Sequence, residues 1–400
     1  MQCPLSQPSD NPAIIDGNTV LSYRQCHRLV AGATYALSQI GIQRGSVVAF
    51  TPSFSTDTII SLFALFRLGA IACPLSARLP KAQIPDHLSK IKSTHHIIAK
   101  RHTPADGPSD IDISLPATYL FTSGSTGKPK IAIHTLGNHI YSALGINSYF
   151  KLSPGDRWHL SLPLYHVGGL AILFRTFLAG AAVVLKGSYS HASWVPTQLN
   201  RALDESQSDF KAILIGGQPL PRQLALRASH LPIYPSYGLT EMSSTVLIKN
   251  VPLPYRRVRI ENGELFVAGP TLFQGYLGEM RTGSWFATGD LVDEHYTILG
   301  RKDRLFISGG ENIQPEEIER ALLMLPNITE AYVVPVSDPE FGKRPVAFTN
   351  GKYLLTEIHA YLSDYLPRFK LPIAHLPLPK STGKADFLAL TRQAQQLHIR

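Results

Sequence analysis

The chain has 400 residues, of which 44% are hydrophobic and 17% charged, a composition typical of a folded globular protein with a large core and more than one domain. Its 38 Lys and Arg exceed its 29 Asp and Glu, and the net charge of +9 favours an anionic partner such as nucleic acid, membrane lipid or a phosphorylated small molecule. The densest basic group, Arg256, Arg257 and Arg259 in YRRVR, is too small for a nucleic-acid binder and is predicted to be a solvated loop and strand face.

Targeting and membrane signals are not found in the sequence. The first residues, MQCPLSQPSD, have neither the basic region nor the apolar region of a secretory signal. The longest apolar stretch is interrupted by Arg67 and ended by Pro74, which predicts a buried helix followed by a turn rather than a membrane span. The three cysteines are far apart and argue against a disulfide framework or a thiolate zinc site. We therefore expect a cytoplasmic protein without a membrane span or a nucleic-acid partner.

The first predicted elements are a hairpin and a helix. Short β-rich runs flank Asp16-Gly17-Asn18, and Ser22 can cap a helix running to about Ile40. The chain then alternates helix-length segments with the short apolar runs VVAFTP, HHIIA, AAVVLK and KAILIGG. This alternation predicts an α/β fold built on a mostly parallel sheet covered by helices.

The pattern of predicted helices and strands changes after about Arg301. Here the sequence predicts a strand, a glycine turn and a helix entered through Pro315, then strands at ITEAYVVPV and KRPVAFT and an amphipathic helix at LLTEIHAYLSDYL. The prediction is a large N-terminal domain, residues 1–301, and a small α+β domain, residues 302–400, with the boundary at Lys302 and Asp303.

The stretch TSGSTGKPK, from Thr122 to Lys130, is a candidate phosphate loop. Small residues let backbone N–H groups converge on a phosphate, hydroxyls add donors, and Lys neutralises charge. A Walker P-loop is excluded, because only two residues separate Gly124 from Gly127 and because Pro129 follows Lys128. The alternative is an exposed turn rich in Gly and Ser.

FTSGSTGKPK resembles the signature loop of the adenylate-forming superfamily, which contains the acyl-CoA synthetases, firefly luciferase and the adenylation domains of peptide synthetases. The motifs PLYHVGG, GGQPLP, YGLTE, TGD, GRKDR and PKSTGK follow in the order of that superfamily and span nearly the whole chain. The resemblance implies a large N-terminal domain, a small mobile C-terminal domain, and a ligase that uses ATP and Mg²⁺ to form an acyl-adenylate and then transfers the acyl group to coenzyme A.

The resemblance also implies roles for individual residues. Thr240 would contact the α-phosphate of ATP, and Glu241 would hold Mg²⁺; a helix cap with an exposed acid is the alternative. Lys384 would reach the α-phosphate and the carboxylate from the small domain, and Asp290 would bind the ribose with help from Arg301. The loop residues that would hold the β- and γ-phosphates are Thr122, Ser123, Gly124, Ser125, Thr126, Gly127 and Lys128. Adenine would lie between two segments, Gly217, Gln218, Pro219 and Ser236, Tyr237, Gly238, with Tyr237 stacking on it.

One site would serve both half-reactions through rotation of the small domain. By resemblance, the hinge lies at Lys302 and Asp303, and rotation would withdraw Lys384 and bring Ser308–Asn312 to the pantetheine tunnel. A plain β-turn is the alternative for the glycine pair in that segment.

Three passages resemble the o-succinylbenzoate:CoA ligases of menaquinone biosynthesis: LSLPLYHVGGLAILFRTFLAGA, YGLTEMSSTV and FISGGENIQPEEIE. That acid has a ring carboxylate besides the one that is activated, and Arg175 is a candidate partner for it; a structural ion pair or a snorkelled end is the alternative. His166 would line the acyl pocket and swing for the thioester step, unless it is simply packed. Ser243, Ser244 and Thr245 are small polar candidates around the same pocket.

Other functions stay open at this point. The acid could be a different aryl or acyl carboxylate, or the acyl group could pass to a carrier-protein thiol. A non-catalytic nucleotide-binding protein is a third possibility, against which the joint presence of Lys128, Glu241, Asp290 and Lys384 argues. Two departures from the superfamily are Ile131, where many members have Gly, and the short chain. The sequence makes no prediction of the oligomeric state.

Overall fold

A computed structural model describes residues 1–122, 129–203, 209–379 and 386–396. The chain forms two compact units, and each consists of more than one segment. The first unit contains Met1–Gln218, Ala228–Val258 and Val267–Phe286, and the second contains Pro219–Arg227, Arg259–Phe266 and Ala287–Arg400. The predicted domain boundary at residues 301 and 302 stays a prediction.

The described residues contain ten α-helices: α1 Tyr23–Gln39, α2 Thr56–Arg67, α3 Ile84–Lys90, α4 Leu136–Phe150, α5 Val167–Leu178, α6 Pro196–Ala202, α7 Arg222–Arg227, α8 Pro315–Leu322, α9 Leu355–Leu362 and α10 Phe387–Gln395. They also contain 25 strands: β1 Pro12–Asp16, β2 Thr19–Ser22, β3 Val47–Phe50, β4 Ile71–Pro74, β5 His95–Ile97, β6 Pro116–Thr122, β7 Lys130–Thr135, β8 Arg157–His159, β9 Ala182–Lys186, β10 His191–Trp194, β11 Ala212–Ile215, β12 Ile233–Leu239, β13 Ser244–Ile248, β14 Val251–Pro252, β15 Arg257–Glu261, β16 Glu264–Ala268, β17 Gly275–Tyr276, β18 Glu279–Met280, β19 Trp285–Val292, β20 Ile298–Arg301, β21 Phe306–Ser308, β22 Glu311–Ile313, β23 Ala331–Asp338, β24 Gly342–Thr349 and β25 Ala374–Pro377.

Two large sheets organise the first unit. One has nine strands in the order β14-β13-β12-β11-β10-β8-β9-β1-β2, and the other has seven in the order β18-β17-β7-β6-β4-β3-β5. Both contain runs of parallel pairs, β12 to β1 in the first sheet and β6 to β5 in the second. A core rich in aromatic side chains lies against these sheets, with Phe63, Phe174 and Phe177 buried in it. The α/β prediction is confirmed.

The early elements agree with the sequence, with one addition. Gly17 makes the β1–β2 turn at φ +60°, and Ser22 accepts a hydrogen bond from the Gln25 amide to cap α1. The apolar stretch forms α2 as expected. The segment after it is the buried strand β4 rather than a simple turn, because it pairs with β3 inside the seven-stranded sheet.

The second unit is an α+β arrangement with its own core. Strands β23, β24 and β25 form one sheet, and α8 and α9 share a core with residues such as Phe306 and Ile358. The strands and helices predicted from Pro315 onward are present, but the sequence did not predict β22. Ser308 pairs with Glu311, and Gly309 and Gly310 make the turn between them with φ +56° and +86°. Two consecutive positive φ values favour glycine and suit a tight hairpin.

No helix in the four described ranges is long and apolar enough to cross a bilayer.

Candidate functional site

The described strands on either side of the signature loop form an antiparallel pair. β6 and β7 pair from Pro116 opposite Thr135 to Thr122 opposite Lys130. The Thr122 hydroxyl donates to the Lys130 carbonyl at 3.5 Å. Both ends of the loop are therefore held next to each other. The predicted residues Ser123, Gly124, Ser125, Thr126, Gly127, Lys128 and Lys384 lie outside the described residues.

The exit from the loop is anchored in the core. Ile131 is 7% exposed and packs in a cluster with Ala49, Cys73 and Leu75. Just before it, the Lys130 ammonium lies 3.6 Å from the Glu279 carboxylate and 4.5 Å above the ring centre of Tyr276. A side chain larger than glycine at residue 131 thus fixes the start of β7.

Thr240 and Glu241 lie in a short 3₁₀ turn, Thr240–Met242, directly after β12. The Glu241 Oε1 atom accepts a hydrogen bond from the Tyr276 hydroxyl at 2.5 Å, whereas Oε2 accepts none among the described residues. The backbone carbonyl of Glu241 accepts from the Phe273 amide at 2.8 Å. Backbone and side chain of Glu241 are therefore both positioned, and none of the described residues occupies Oε2. Sequence reasoning missed Tyr276, which no motif marks.

A buried histidine holds the preceding residue. His134 Nε2 donates to the Thr240 carbonyl at 2.7 Å, and because a carbonyl only accepts, the proton is on Nε2. Burial lowers the pKa of His134 to about 4, so the ring is neutral at physiological pH. Its Nδ1 atom has no hydrogen-bond partner within the described ranges. His134 was also not predicted from the sequence.

The segments predicted to hold adenine meet at one edge of the nine-stranded sheet. β11 and β12 are parallel neighbours. Gly217, just after β11, and Ser236, in β12, therefore lie towards the same, carboxyl-terminal ends of these strands. Ser236 donates its hydroxyl to the Ile215 carbonyl at 2.9 Å. At Gly238 a Cβ atom would collide with the Ser244 carbonyl. Tyr237 is half-buried beside them, and Gln218 and Pro219 are exposed.

Asp290 and Arg301, which the sequence predicts to bind the ribose, lie next to each other within the second unit. They lie opposite each other on β19 and β20, and Arg301 Nη1 lies 3.2 Å from Asp290 Oδ1. Arg301 also makes a two-point pair with the hinge candidate Asp303, at 3.2 and 3.1 Å. Lys302 lies 2.8 Å from Glu264. Charged pairs therefore hold the Arg301–Asp303 segment in this conformation.

Helix α5 carries two predicted acyl-pocket residues at opposite ends. His166 is the exposed N-cap, and Arg175 lies roughly 13 Å further along the axis. The start of α5 packs closely on the preceding chain, since a Cβ atom at Gly169 would lie 2.6 Å from the Leu162 carbonyl. The structure places the two side chains in different surroundings, one exposed and one buried.

Arg175 is 1% exposed. Its Nε donates to the Ala171 carbonyl at 2.9 Å, its Nη1 lies 3.4 Å from the Ser193 hydroxyl, and its guanidinium lies 4.8 Å from the ring centre of Trp158. No ion pair within the described part of the chain involves Arg175. Burial lowers the pKa of Arg175 to about 9, so the group remains charged at neutral pH.

The basic group YRRVR corrects one prediction. Arg257 and Arg259 are exposed as expected, but Arg256 is only 6% exposed. Its guanidinium donates to carbonyl groups that a solvated side chain would not reach, among them that of Thr245 at 3.0 Å. The prediction of a fully solvated face was therefore wrong at Arg256.

Comparison with known proteins decides the family. Residues 3–115 and 98–277 match the AMP-binding enzyme family, and residues 317–382 match the AMP-binding enzyme C-terminal domain. The chain belongs to the AMP-binding enzymes. This family membership confirms the resemblance drawn from the signature loop and its companion motifs.

Relatives of this AMP-binding enzyme have been named and solved. The 2-succinylbenzoate–CoA ligase of Escherichia coli K12 is 34% identical over 396 residues, 88% of each chain. Wild-type E. coli MenE with a bound analogue of OSB-AMS is 30% identical with a TM-score of 0.83, over 98% of this chain and 99% of its own. The Bacillus subtilis o-succinylbenzoate CoA synthetase in complex with the acyl-adenylate OSB-AMP is 25% identical with a TM-score of 0.87, over 95% of both chains. The same B. subtilis enzyme has been solved with ATP and a magnesium ion.

Proposed function

We propose that this AMP-binding enzyme is a cytoplasmic acid–thiol ligase that joins 2-succinylbenzoate (o-succinylbenzoate) to coenzyme A through an acyl-adenylate, in menaquinone biosynthesis. The names and bound ligands of its relatives support the reaction class and the acid. Within the chain itself, the observation that carries the choice of acid is the buried guanidinium of Arg175.

Arg175 suits an acid that has a second carboxylate. A buried cation is costly unless an anion accompanies it, and the described residues supply Arg175 with carbonyl, hydroxyl and aromatic contacts but no carboxylate. The ring carboxylate of 2-succinylbenzoate would complete the site with a charge-assisted hydrogen bond. Because Arg175 is 1% exposed, the acid would reach it only after a local movement of neighbours such as Trp158.

The described residues also fit a magnesium ion brought in with ATP. Mg²⁺ in nucleotide enzymes is commonly held by one or two carboxylates together with phosphate oxygens, and Glu241 offers one oxygen with no competing hydrogen bond among the described residues. When bound, Mg²⁺ would neutralise charge on the phosphates. Glu241 would hold the ion, the Tyr276 hydroxyl would orient Glu241, and Asp290 would bind the ribose.

Binding and charge stabilisation are the main tasks of such a site. Attack of a carboxylate on the α-phosphate gathers negative charge, so positioned cations lower the barrier more than a covalent group would. Lys128 and Lys384 would supply these cations, and Thr240, held by His134, would donate to the α-phosphate. His166 would line the path of the acyl group.

The test is an acid panel. The enzyme would be incubated with Mg²⁺-ATP, coenzyme A and a set of aryl, acyl and dicarboxylic acids, with pyrophosphate release followed and thioesters identified by mass. We expect 2-succinylbenzoyl-CoA as the preferred product. Turnover of another acid without this thioester would reject 2-succinylbenzoate as the substrate and keep the reaction class. Pyrophosphate release without any CoA thioester would favour a carrier-protein thiol as the acyl acceptor. No pyrophosphate from any acid would reject the ligase function.

A further inference from the structure

The turn that follows Glu241 has an unusual backbone. Ser243 and Ser244 have φ values of +55° and +113°, which side chains larger than glycine rarely adopt. Such a conformation persists only where the surroundings hold it in place. This turn, Ser243–Thr245, follows the Thr240–Met242 turn and includes the first two residues of β13, and β13 packs against α5, the helix that carries Arg175.

Arg256 holds this turn against α4. Its Nε donates to the Thr245 carbonyl at 3.0 Å, and its Nη2 donates to the carbonyl and the hydroxyl of Ser142, both at 3.0 Å. The Ser142 hydroxyl in turn donates to the Ser243 carbonyl at 2.7 Å. One guanidinium therefore fixes both ends of the turn, directly at Thr245 and through Ser142 at Ser243.

The surroundings of Arg256 are shaped for an arginine. Its Nη1 donates to the Pro254 carbonyl at 2.8 Å, and no side chain intervenes because α4 has Gly145 at this point. A Cβ atom at Gly145 would collide with Nη1 and would lie 2.6 Å from the Pro254 carbonyl. An alanine there would push the guanidinium away from the turn.

Arg256 also adds a second buried charge to this part of the first unit. No ion pair among the described residues involves Arg256. Burial and, to a lesser extent, the positive charge of Arg175 together lower the pKa of Arg256 to about 9. Two buried cations that have no carboxylate partner among the described residues favour binding of a ligand with two negative charges over a ligand with one.

We propose that Arg256 is a positioning residue for the acid: it holds the Ser243–Thr245 turn in place and, with Arg175, makes the enzyme prefer an acid with a second carboxylate. The proposal rests on the proposed function and names a determinant of its specificity. Arg256 acts through the turn and through its charge, since its donors are occupied by Thr245, Ser142 and Pro254.

The experiment compares 2-succinylbenzoate with 4-oxo-4-phenylbutanoate, the same acid without the ring carboxylate. Steady-state kcat and KM would be measured for both acids and for ATP in the wild type, Arg256→Gln, Arg256→Lys and Ser142→Ala. The matched control is Arg257→Gln, which changes the exposed neighbour of the same type. Turnover by the wild type tests the proposed function, and the ratio of kcat/KM for the two acids in the variants tests the role of Arg256.

We expect Arg256→Gln to raise KM for 2-succinylbenzoate about tenfold or more, because the turn shifts and a charge is lost, while KM for ATP stays within about twofold. The preference for the dicarboxylate should fall in Arg256→Gln and less in Arg256→Lys, which keeps the charge. Ser142→Ala should also raise KM for the acid. Because this substitution is small, it tests the role of the turn even if Arg256→Gln does not fold. An unchanged preference in the Arg256 variants, equal increases in KM for acid and ATP, or the same effect from Arg257→Gln would overturn the proposal.

Discussion

The two units each contain a buried or partly buried arginine, and the two arginines differ in whether nearby carboxylates balance their charge. In the second unit, Arg304 lies 2.6 Å from both Glu316 and Glu319 and donates to the Val333 carbonyl at 2.9 Å. In the first unit, Arg175 is more deeply buried and yet makes no ion pair among the described residues. The more deeply buried cation is the one that has no carboxylate partner in the described ranges.

This difference separates an arginine that serves the fold from one that serves a ligand. Arg304 is neutralised by side chains of its own unit, so its charge is balanced as soon as that unit folds. The charge of Arg175 stays unbalanced within the described residues, a cost that a protein retains where a ligand removes it. The comparison therefore predicts that loss of Arg175 harms activity and that loss of Arg304 harms stability.

The largest expected effect is on activity in Arg175→Met. We expect kcat/KM for 2-succinylbenzoate to fall about a hundredfold or more, because loss of one partner of a buried charge pair costs roughly 2–5 kcal/mol. The same substitution should change kcat/KM for 4-oxo-4-phenylbutanoate far less, since that acid has no ring carboxylate. Both constants come from pyrophosphate release with each acid.

The same variant should be no less stable than the wild type, because it removes a buried charge for which the described part of the chain supplies no carboxylate. Thermal unfolding measures this directly. Equal losses with both acids, or a strong fall in melting temperature, would instead give Arg175 a structural role like that of Arg304.

The next effect concerns the stability of the second unit in Arg304→Met. Removing the cation leaves Glu316 and Glu319 without their shared partner, and breaking a buried pair in this way typically costs about 3–5 kcal/mol. Chemical unfolding followed by circular dichroism would report the loss. Arg368→Met, at an exposed position of the same unit, is the control and should stay close to wild type. A stable Arg304→Met would remove the contrast between the two arginines.

The sequence predicted more of the fold than of the site. Hydrophobic periodicity and turn residues predict the parallel strands, the capped helix α1 and the start of α8 at Pro315, because these features depend on local sequence patterns. The motifs and their order were sufficient to identify the protein family. They also predict that Asp290 binds the ribose with help from Arg301; the two side chains lie 3.2 Å apart, and their role in ribose binding stays a prediction.

What the sequence did not predict depends on long-range packing. Tyr276 reaches Glu241 across 35 positions, and His134 reaches Thr240 across 106, so no local pattern could connect them. The sequence predicts a solvated Arg256 because this residue stands in the basic group YRRVR. Only the tertiary arrangement of α4 around Gly145 shows that it is buried.

A smaller effect is expected where a carboxylate is only partly satisfied by the fold, as at Glu241. Tyr276→Phe removes the hydroxyl that binds Oε1 but keeps the ring under Lys130. Because hydrogen bonds to a metal-binding carboxylate orient it, we expect the Mg²⁺ concentration for half-maximal activity to rise about tenfold. Mg²⁺-dependent ATP binding, measured by calorimetry without the acid, should weaken in parallel. An unchanged Mg²⁺ dependence, as expected for the exposed control Tyr35→Phe, would show that Tyr276 does not position Glu241.

The smallest effect at neutral pH concerns Nδ1 of His134, which has no hydrogen-bond partner among the described residues. The pKa of His134 is about 4 in the folded protein and about 6.5 in an unfolded chain, so the unfolded state binds the proton more readily. The stability that depends on this difference is complete above pH 6.5 and is lost as the pH falls towards 4, with a slope of at most about 1.4 kcal/mol per pH unit. His134→Gln removes the titrating group, while the Gln amide can still donate to the Thr240 carbonyl.

Urea unfolding of this variant at several pH values should therefore show a shallower loss of stability with falling pH. The exposed control His96→Gln should follow the wild type. If His134→Gln also follows the wild-type curve, the acid sensitivity of the fold belongs to other buried histidines such as His139, whose pKa is also lowered by burial.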